Sequence, residues 1–272
     1  MTRTKGEATI RDCTLRDGGY AINFQFTTRD TKALCQCLEH AGITMIEVGH
    51  GVGLGASSST HGVAFDSDDS HISAAASVVN TARIGAFFIP GIGTEENIRS
   101  AADSGLNFIR IGNDVDKYET AVEYAEFAKS LGLFVSLNLM KTYTVKPAAM
   151  VDLGERIDRL GTIDCISVVD SAGCLLPGEV GEYVAALAGA FEGIIGFHGH
   201  NNLEMANANC LAALAAGAEC VDGTLRGMGR SSGNAQTEVL AHVLPKAGYK
   251  TGVDPYQLLT AIETYLDPLM WR

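Results

Sequence analysis

The sequence predicts a (β/α)8 barrel closed by one further helix, and three observations carry that expectation. Short β-branched or apolar runs alternate with longer segments of helical period from one end of the chain to the other. The runs number eight, which favours a closed barrel over a doubly wound open sheet showing the same alternation. Glycine at 42, 132, 161 and 217 stops a helix just before the next strand, marking the β-α-β period four times.

In chain order the strands are expected at Thr9 to Leu15, Met45 to Gly49, Arg83 to Ile89, Phe108 to Gly112, Phe134 to Leu139, Cys165 to Val169, Gly193 to His198 and Cys220 to Thr224. Helices are expected at Thr28 to Ala41, Ser70 to Asn80, Thr94 to Ser104, Lys117 to Leu131, Pro147 to Leu160, Pro177 to Phe191, Leu203 to Ala216 and Asn234 to Ala247. Asp254 to Leu266 adds a last helix, expected across one end of the barrel. No linker, repeat or charge block marks a second domain, so residues 1–272 read as a single catalytic barrel.

Composition narrows the function. With 46% apolar and 19% charged residues the chain has material for a large core, and at this length it needs no metal merely to stay folded. A formal net charge of -12 without a basic cluster argues against nucleic acid as a partner. No apolar run approaches the ~18 residues of a membrane span, and Met1 to Gly6 is not followed by the apolar core of a secretory signal. The seven cysteines are scattered and mostly in apolar segments, which reads as reduced thiols in a cytoplasmic protein.

In a barrel the chemistry sits at the C-terminal ends of the strands. His198 and His200 stand two apart at the seventh strand end, so both imidazoles point to the barrel axis. Asp17 lies at the mouth of the first strand, near the seventh across barrel closure, and completes an N/O donor set for one divalent cation. Asn234 follows the eighth strand into the same region. Arg16 next to Asp17 is an expensive placement unless an anion binds there; a salt bridge to Glu47 is the plain alternative, and both hold if Glu47 orients the guanidinium. The Gly51 to Gly62 loop reads equally as a lid, a phosphate cradle without the P-loop lysine, or a surface loop. Lys141 is a rival, imine-forming residue. Phe87, Phe88, Asn138, Met140 and Tyr143 are candidates for the pocket wall.

Four separated stretches carry a resemblance. Asp12-Cys13-Thr14-Leu15-Arg16-Asp17-Gly18 is similar to the D-x-T-L-R-D-G signature of the DRE-TIM metallolyases, and the stretch from His198 through Glu238 resembles their seventh and eighth strands. VVDSAG at Val168 to Gly173 extends the match, and EVGHGVGLGASSS at Glu47 to Ser59 resembles the second-strand loop of the 4-hydroxy-2-oxovalerate aldolases more than that of isopropylmalate synthases or hydroxymethylglutaryl-CoA lyases. The resemblance implies that Asp17, His198 and His200 bind a divalent cation, Mn²⁺ before Mg²⁺ or Co²⁺, with Asn234 as a further ligand. It implies that Arg16 holds a substrate oxygen and stabilises a pyruvate enolate released by cleavage of a 4-hydroxy-2-oxo acid into pyruvate and an aldehyde.

The sequence departs from that pattern at Tyr20, where aldolases of aromatic degradation carry a histidine base. Tyr20 as a proton relay, His50, His61 or a metal-bound water, or a different substrate, are the alternatives. The chain ends at Arg272 without the C-terminal helical region that docks those aldolases on an acylating aldehyde dehydrogenase, so that partnership is not expected, whereas a homodimer is. A Claisen-type acyltransferase condensing acetyl-CoA with a 2-oxo acid, isopropylmalate-synthase-like, is the alternative enzyme. A non-catalytic barrel is the alternative outside enzymes.

Overall fold

The computed structural model describes residues 6–270. Eight parallel strands close into a barrel in sequence order. They are β1 (Thr9–Asp12), β2 (Met45–Glu47), β3 (Arg83–Phe88), β4 (Phe108–Asp114), β5 (Phe134–Met140), β6 (Cys165–Asp170), β7 (Ile194–Gly199) and β8 (Cys220–Gly223). β1 pairs with both β2 and β8, with Arg11 opposite Met45 on one side and Asp222 on the other. The outer ring is α1 (Thr28–His40), α2 (Asp68–Ala76), α3 (Glu95–Asp103), α4 (Tyr118–Ser130), α5 (Ala149–Leu160), α6 (Pro177–Ala188), α7 (Ala206–Ala215) and α8 (Thr237–Lys246). Glycines 42, 132, 161 and 217 all have positive φ, as expected of residues that end a helix.

The period-two alternation of the strands divides two environments. Ile10, Ile46, Ile84, Ile109, Ile166 and Val221 face outward and join one apolar core with the helices. The alternate residues Arg11, Glu47, Arg110, Ser136, Ser167 and Asp222 are buried and polar, and their mutual hydrogen bonds place them inside the barrel. Gly196 belongs to that inner set: a Cβ there would stand 2.6 Å from the Ser167 hydroxyl, in space the Arg11 guanidinium approaches.

Several expected boundaries shift, among them α2, which ends at Ala76, and α7, which begins at Ala206. β1 ends at Asp12, three residues early, because the Asp12 carboxylate accepts the Thr14 N–H and the Cys13 carbonyl accepts from Arg16 and Asp17. The chain therefore turns at once, and Asp17 opens a short 3₁₀ helix, Asp17–Ile22. α8 begins at Thr237 rather than Asn234, which instead forms a β-bridge with His200. The closing segment is α9 (Pro255–Ala261), a π-helical turn at Ile262–Leu266 and α10 (Asp267–Met270). It does not cross an end of the barrel: α9 packs against α1 and α8, burying Leu258 and Ile262 over the outer seam where the barrel closes. Among the described residues no helix is long and apolar enough to cross a membrane, and the cysteines are free, with Cys37 half-buried, Cys174 exposed and the other five buried.

Candidate metal centre

Asp17, His198 and His200 meet at the C-terminal mouth of the barrel, all buried, with one potential ligand atom from each lying within 4.8 Å of the others. β7 sends both imidazoles inward, and the early turn after β1 brings Asp17 across the closure seam. His198 Nε2 is 4.0 Å from Asp17 Oδ2.

Hydrogen-bond partners set each histidine's tautomer. His198 Nδ1 is 2.9 Å from Asp222 Oδ2. Burial alone would raise the Asp222 carboxyl, but Arg11 and Arg110 outweigh it and hold Asp222 ionised, far below the usual range. An ionised carboxylate can only accept, so His198 donates from Nδ1 and presents the Nε2 lone pair. His200 Nδ1 lies 3.2 Å from the Gly233 carbonyl, again an acceptor only, which leaves its Nε2 free as well. Burial and the neighbouring His198 push the His200 imidazole down to about 4, so it is neutral at pH 7 and able to bind a cation. Burial would raise Asp17, but Arg16 and the histidines hold it ionised, well below the ordinary carboxylate range.

Two imidazoles and a carboxylate fit a divalent first-row cation. Asn234 adds to the fit. Its amide nitrogen donates to Asp17 Oδ1 (3.1 Å) and to the Met228 carbonyl (2.9 Å), while its buried Oδ1 has no partner among the described residues. An orphaned acceptor beside this donor set is costly unless something electropositive faces it.

The three donors line a cavity of about 110 Å³ that also contains Arg16, Tyr20 and Arg230. Arg16 is almost fully buried, with Nε on Glu47 Oε2 (2.8 Å) and Nη1 on Asp17 Oδ2 (2.6 Å) and the Gly51 carbonyl (3.3 Å). Its Nη2 makes no hydrogen bond to a described residue, so a donor remains for a ligand. The Phe87 ring covers the guanidinium at 4.8 Å. Glu47 also accepts from Arg110 at 3.0 Å, so a buried ladder of Arg11, Asp222, Arg110, Glu47, Arg16 and Asp17 runs up the barrel axis.

The remaining candidates separate by position. Tyr20 lines the cavity, and burial raises its phenol, keeping it protonated at pH 7. His50 does not line it. Its Nδ1 accepts from Val52 N (3.1 Å), its Nε2 faces the Gly62 carbonyl (3.1 Å), and its ring stacks on Phe24 at 4.1 Å. The Gly51 to Gly62 loop is folded around this stack: a Cβ on Gly62 would meet Phe24 at 2.3 Å, and one on Gly51 would meet Phe24 and Tyr20. Asp68 pins the same loop by accepting from His50 N and Gly55 N. Lys141 points away from the cavity, half exposed and paired with Asp114 at 2.8 Å, a bond that keeps the amine protonated. Phe87, Asn138 and Met140 line the cavity, whereas Phe88 is core and Tyr143 packs at its edge.

A family model described as HMGL-like matches residues 7–264. The chain belongs to the HMGL-like family. It is 42% identical over 262 residues to 4-hydroxy-2-oxovalerate aldolase 2 of Rhodococcus jostii (strain RHA1), covering 96% of this chain and 76% of that protein. Identity to the 4-hydroxy-2-oxovalerate aldolase of Moorella thermoacetica is 40%, covering 97% and 78% of the two chains. It is 42% to a protein of Mycobacterium tuberculosis named oxaloacetate decarboxylase, over 93% and 75%. A solved N-terminal domain from Bacteroides vulgatus superposes with TM-score 0.81 at 28% identity, over 96% of this chain and 87% of that one. The carboxyl transferase domain of Rhizobium etli pyruvate carboxylase, at 18% identity and TM-score 0.85 over 98% and 48%, shares the fold.

This HMGL-like barrel is thus an enzyme of the aldolase kind, a carbon–carbon lyase. Sequence reasoning missed Arg11, Arg110, Asp222 and Arg230 in it. Charged residues at inward positions of short apolar strands, as in FIRIG and CVDG, were the available signal for Arg110 and Asp222; Arg230 stood inside a quoted motif with no role attached.

Proposed function

We propose that this chain is a divalent-metal-dependent aldolase that reversibly cleaves a 4-hydroxy-2-oxo acid into pyruvate and an aldehyde. The observation that carries this reading is the meeting of Asp17, His198 and His200 with the free Nη2 of Arg16 on the wall of one small cavity. Mn²⁺ is the cation we assign to Asp17, His198 and His200, with Asn234 as a further ligand. When bound, the cation supplies Lewis-acid polarisation of the 2-oxo acid.

The protein's own groups do the rest. Arg16, held by Glu47, offers Nη2 to the oxygen on which charge develops as the bond between C3 and C4 breaks. Its donor is aimed before substrate arrives, because Glu47, Asp17 and the Gly51 carbonyl hold the rest of the guanidinium. Tyr20 is a poor base while its phenol stays protonated, and acts as a relay, taking the 4-hydroxyl proton as it gives its own to solvent at the mouth of the cavity. His50, with both nitrogens engaged, shapes the loop over Tyr20. The cavity volume suits a small acid. The whole barrel serves as one catalytic domain, which we place in the cytoplasm and read as able to pair into a homodimer.

A second reading, decarboxylation of a 2-oxo diacid, is favoured by the 42% identity to the protein named oxaloacetate decarboxylase. It breaks the corresponding bond and leaves the same pyruvate enolate for Arg16. Exhaustive chelation tests the common core: pyruvate release from 4-hydroxy-2-oxo acids and from oxaloacetate should vanish with EDTA and return with Mn²⁺. Full-rate release from the stripped protein would sink the proposal.

A further inference from the structure

Arg230 stands apart from the other cations of the mouth. Arg11, Arg16 and Arg110 are matched by Asp17, Glu47 and Asp222, three charges against three, in one buried ladder. Arg230 lines the same cavity from the loop after β8, yet its guanidinium meets no carboxylate among the described residues. Its one side-chain hydrogen bond is from Nη2 to the Ser171 carbonyl, at 2.8 Å, in the loop after β6. Its backbone N–H donates to Asp17 Oδ1 at 3.1 Å, which fixes the residue's base beside the metal ligands, while the head extends to the loop after β6 with its other donors unused by described residues.

A monoanionic 2-oxo acid needs one cationic partner at its carboxylate end, and the metal site with Arg16 already supplies it. Arg230 is exposed at the rim, so its own solvation is not at stake; what it offers is a second guanidinium beside the metal ligands, placed to meet a second negative group at the far end of a substrate. A planar guanidinium with several donors unused matches a carboxylate in shape as well as charge.

We propose that Arg230 is a specificity residue that receives a second carboxylate, so that the substrates are 2-oxo diacids rather than simple 2-oxo monoacids. This rests on the 2-oxo acid reading given above, deepens it, and leaves the bond-breaking step as described. Arg230 acts on which molecule enters and on how its far end is held. The aldehyde fragment released from a 4-hydroxy-2-oxo diacid would itself carry a carboxylate, so the enzyme would connect pyruvate with a small aldehyde acid.

The test compares two acids of equal carbon number that cannot be cleaved, because neither has a 4-hydroxyl: 2-oxopentanoate and 2-oxoglutarate. Their dissociation constants are measured by calorimetry on Mn²⁺-loaded wild-type protein, Arg230→Gln and Arg230→Lys. The wild type should bind the diacid at least about tenfold more tightly. Arg230→Gln should bring the ratio to within about twofold of one, and Arg230→Lys should keep part of it. The ratio should also shrink as salt is raised. Glutamine retains an N–H for the Ser171 carbonyl, so a residue that merely clasps the two loops would leave the preference intact in Arg230→Gln; that result overturns the inference. A wild-type ratio near one, with 2-oxopentanoate still bound, overturns it as well and leaves the aldolase reading standing. If neither acid binds, both fall together.

Discussion

The lower and upper halves of the barrel axis are both lined by polar and charged side chains and differ in how far those are paired within the protein. Below, Arg11, Arg110, Asp222 and Glu47 are buried to within 2% of full enclosure and every charge is paired side chain to side chain, with only Glu47 Oε1 and Arg110 Nε left without a hydrogen bond to a described residue. Above, Asp17, His198, His200 and Asn234 leave two imidazole nitrogens and one buried amide oxygen without protein partners, and the exposed Arg230 guanidinium meets only the Ser171 carbonyl. A buried polar group left unpaired costs free energy. The closed half therefore reads as scaffold and the open half as the place where ligands complete the bonding. Asp222 belongs to both, since it neutralises two arginines below and orients His198 above.

The comparison can be broken from the lower side first. Arg110→Met should destabilise the protein by about 3–5 kcal/mol, because Glu47 and Asp222 lose a shared cation while staying buried; urea unfolding measures this, and a change below about 1 kcal/mol would show that the ladder is not a structural unit.

Asp12 sharpens the contrast, being a buried carboxyl with no cation beside it. Burial raises it to about 6 against hydrogen bonds from Thr237 and Thr14. The folded state thus holds a proton that the unfolded state releases near pH 4, so stability is fully present below about pH 4 and falls as pH rises to about 6. The loss amounts to about 3 kcal/mol. Asp12→Asn should remove that component, so the stability difference between variant and wild type should move in the variant's favour from pH 4 to pH 7. A pH-independent difference would contradict the assignment.

The smallest effect is at the junction. Asp222→Asn removes the charge that fixes His198 with its proton on Nδ1, and Mn²⁺ affinity should fall about 10- to 100-fold, as expected when an outer partner of a metal-binding histidine is lost. Titration of folded protein with Mn²⁺ measures it, and unchanged affinity would separate the two halves completely.

Much of this was legible in the sequence. All eight strands occur in the order and close to the places that period and punctuation give them, β1 alone stopping three residues short, because a strand buried against helices must be apolar on that face whatever its neighbours. Asp17, His198 and His200 were legible because a histidine pair two apart on a strand has only one side to face, and a barrel brings the first strand beside the last. The fates of Tyr20 and His50 were not, since they depend on how Phe24 and the loop after β2 pack together. Nor was the start of α8, which yields Asn234 to a bridge with His200.

What the sequence determined by itself was therefore the order of the elements and the identity of the residues at the strand ends, both governed by local periodicity. Closure of the barrel decided the rest. Arg110 meets Asp222 across 112 positions of chain, and Asn234 meets Asp17 across 217. A charge on a short strand is silent until its partner is in place, and only the tertiary structure shows which charges are answered within the protein and which, like Arg230, are left facing the cavity.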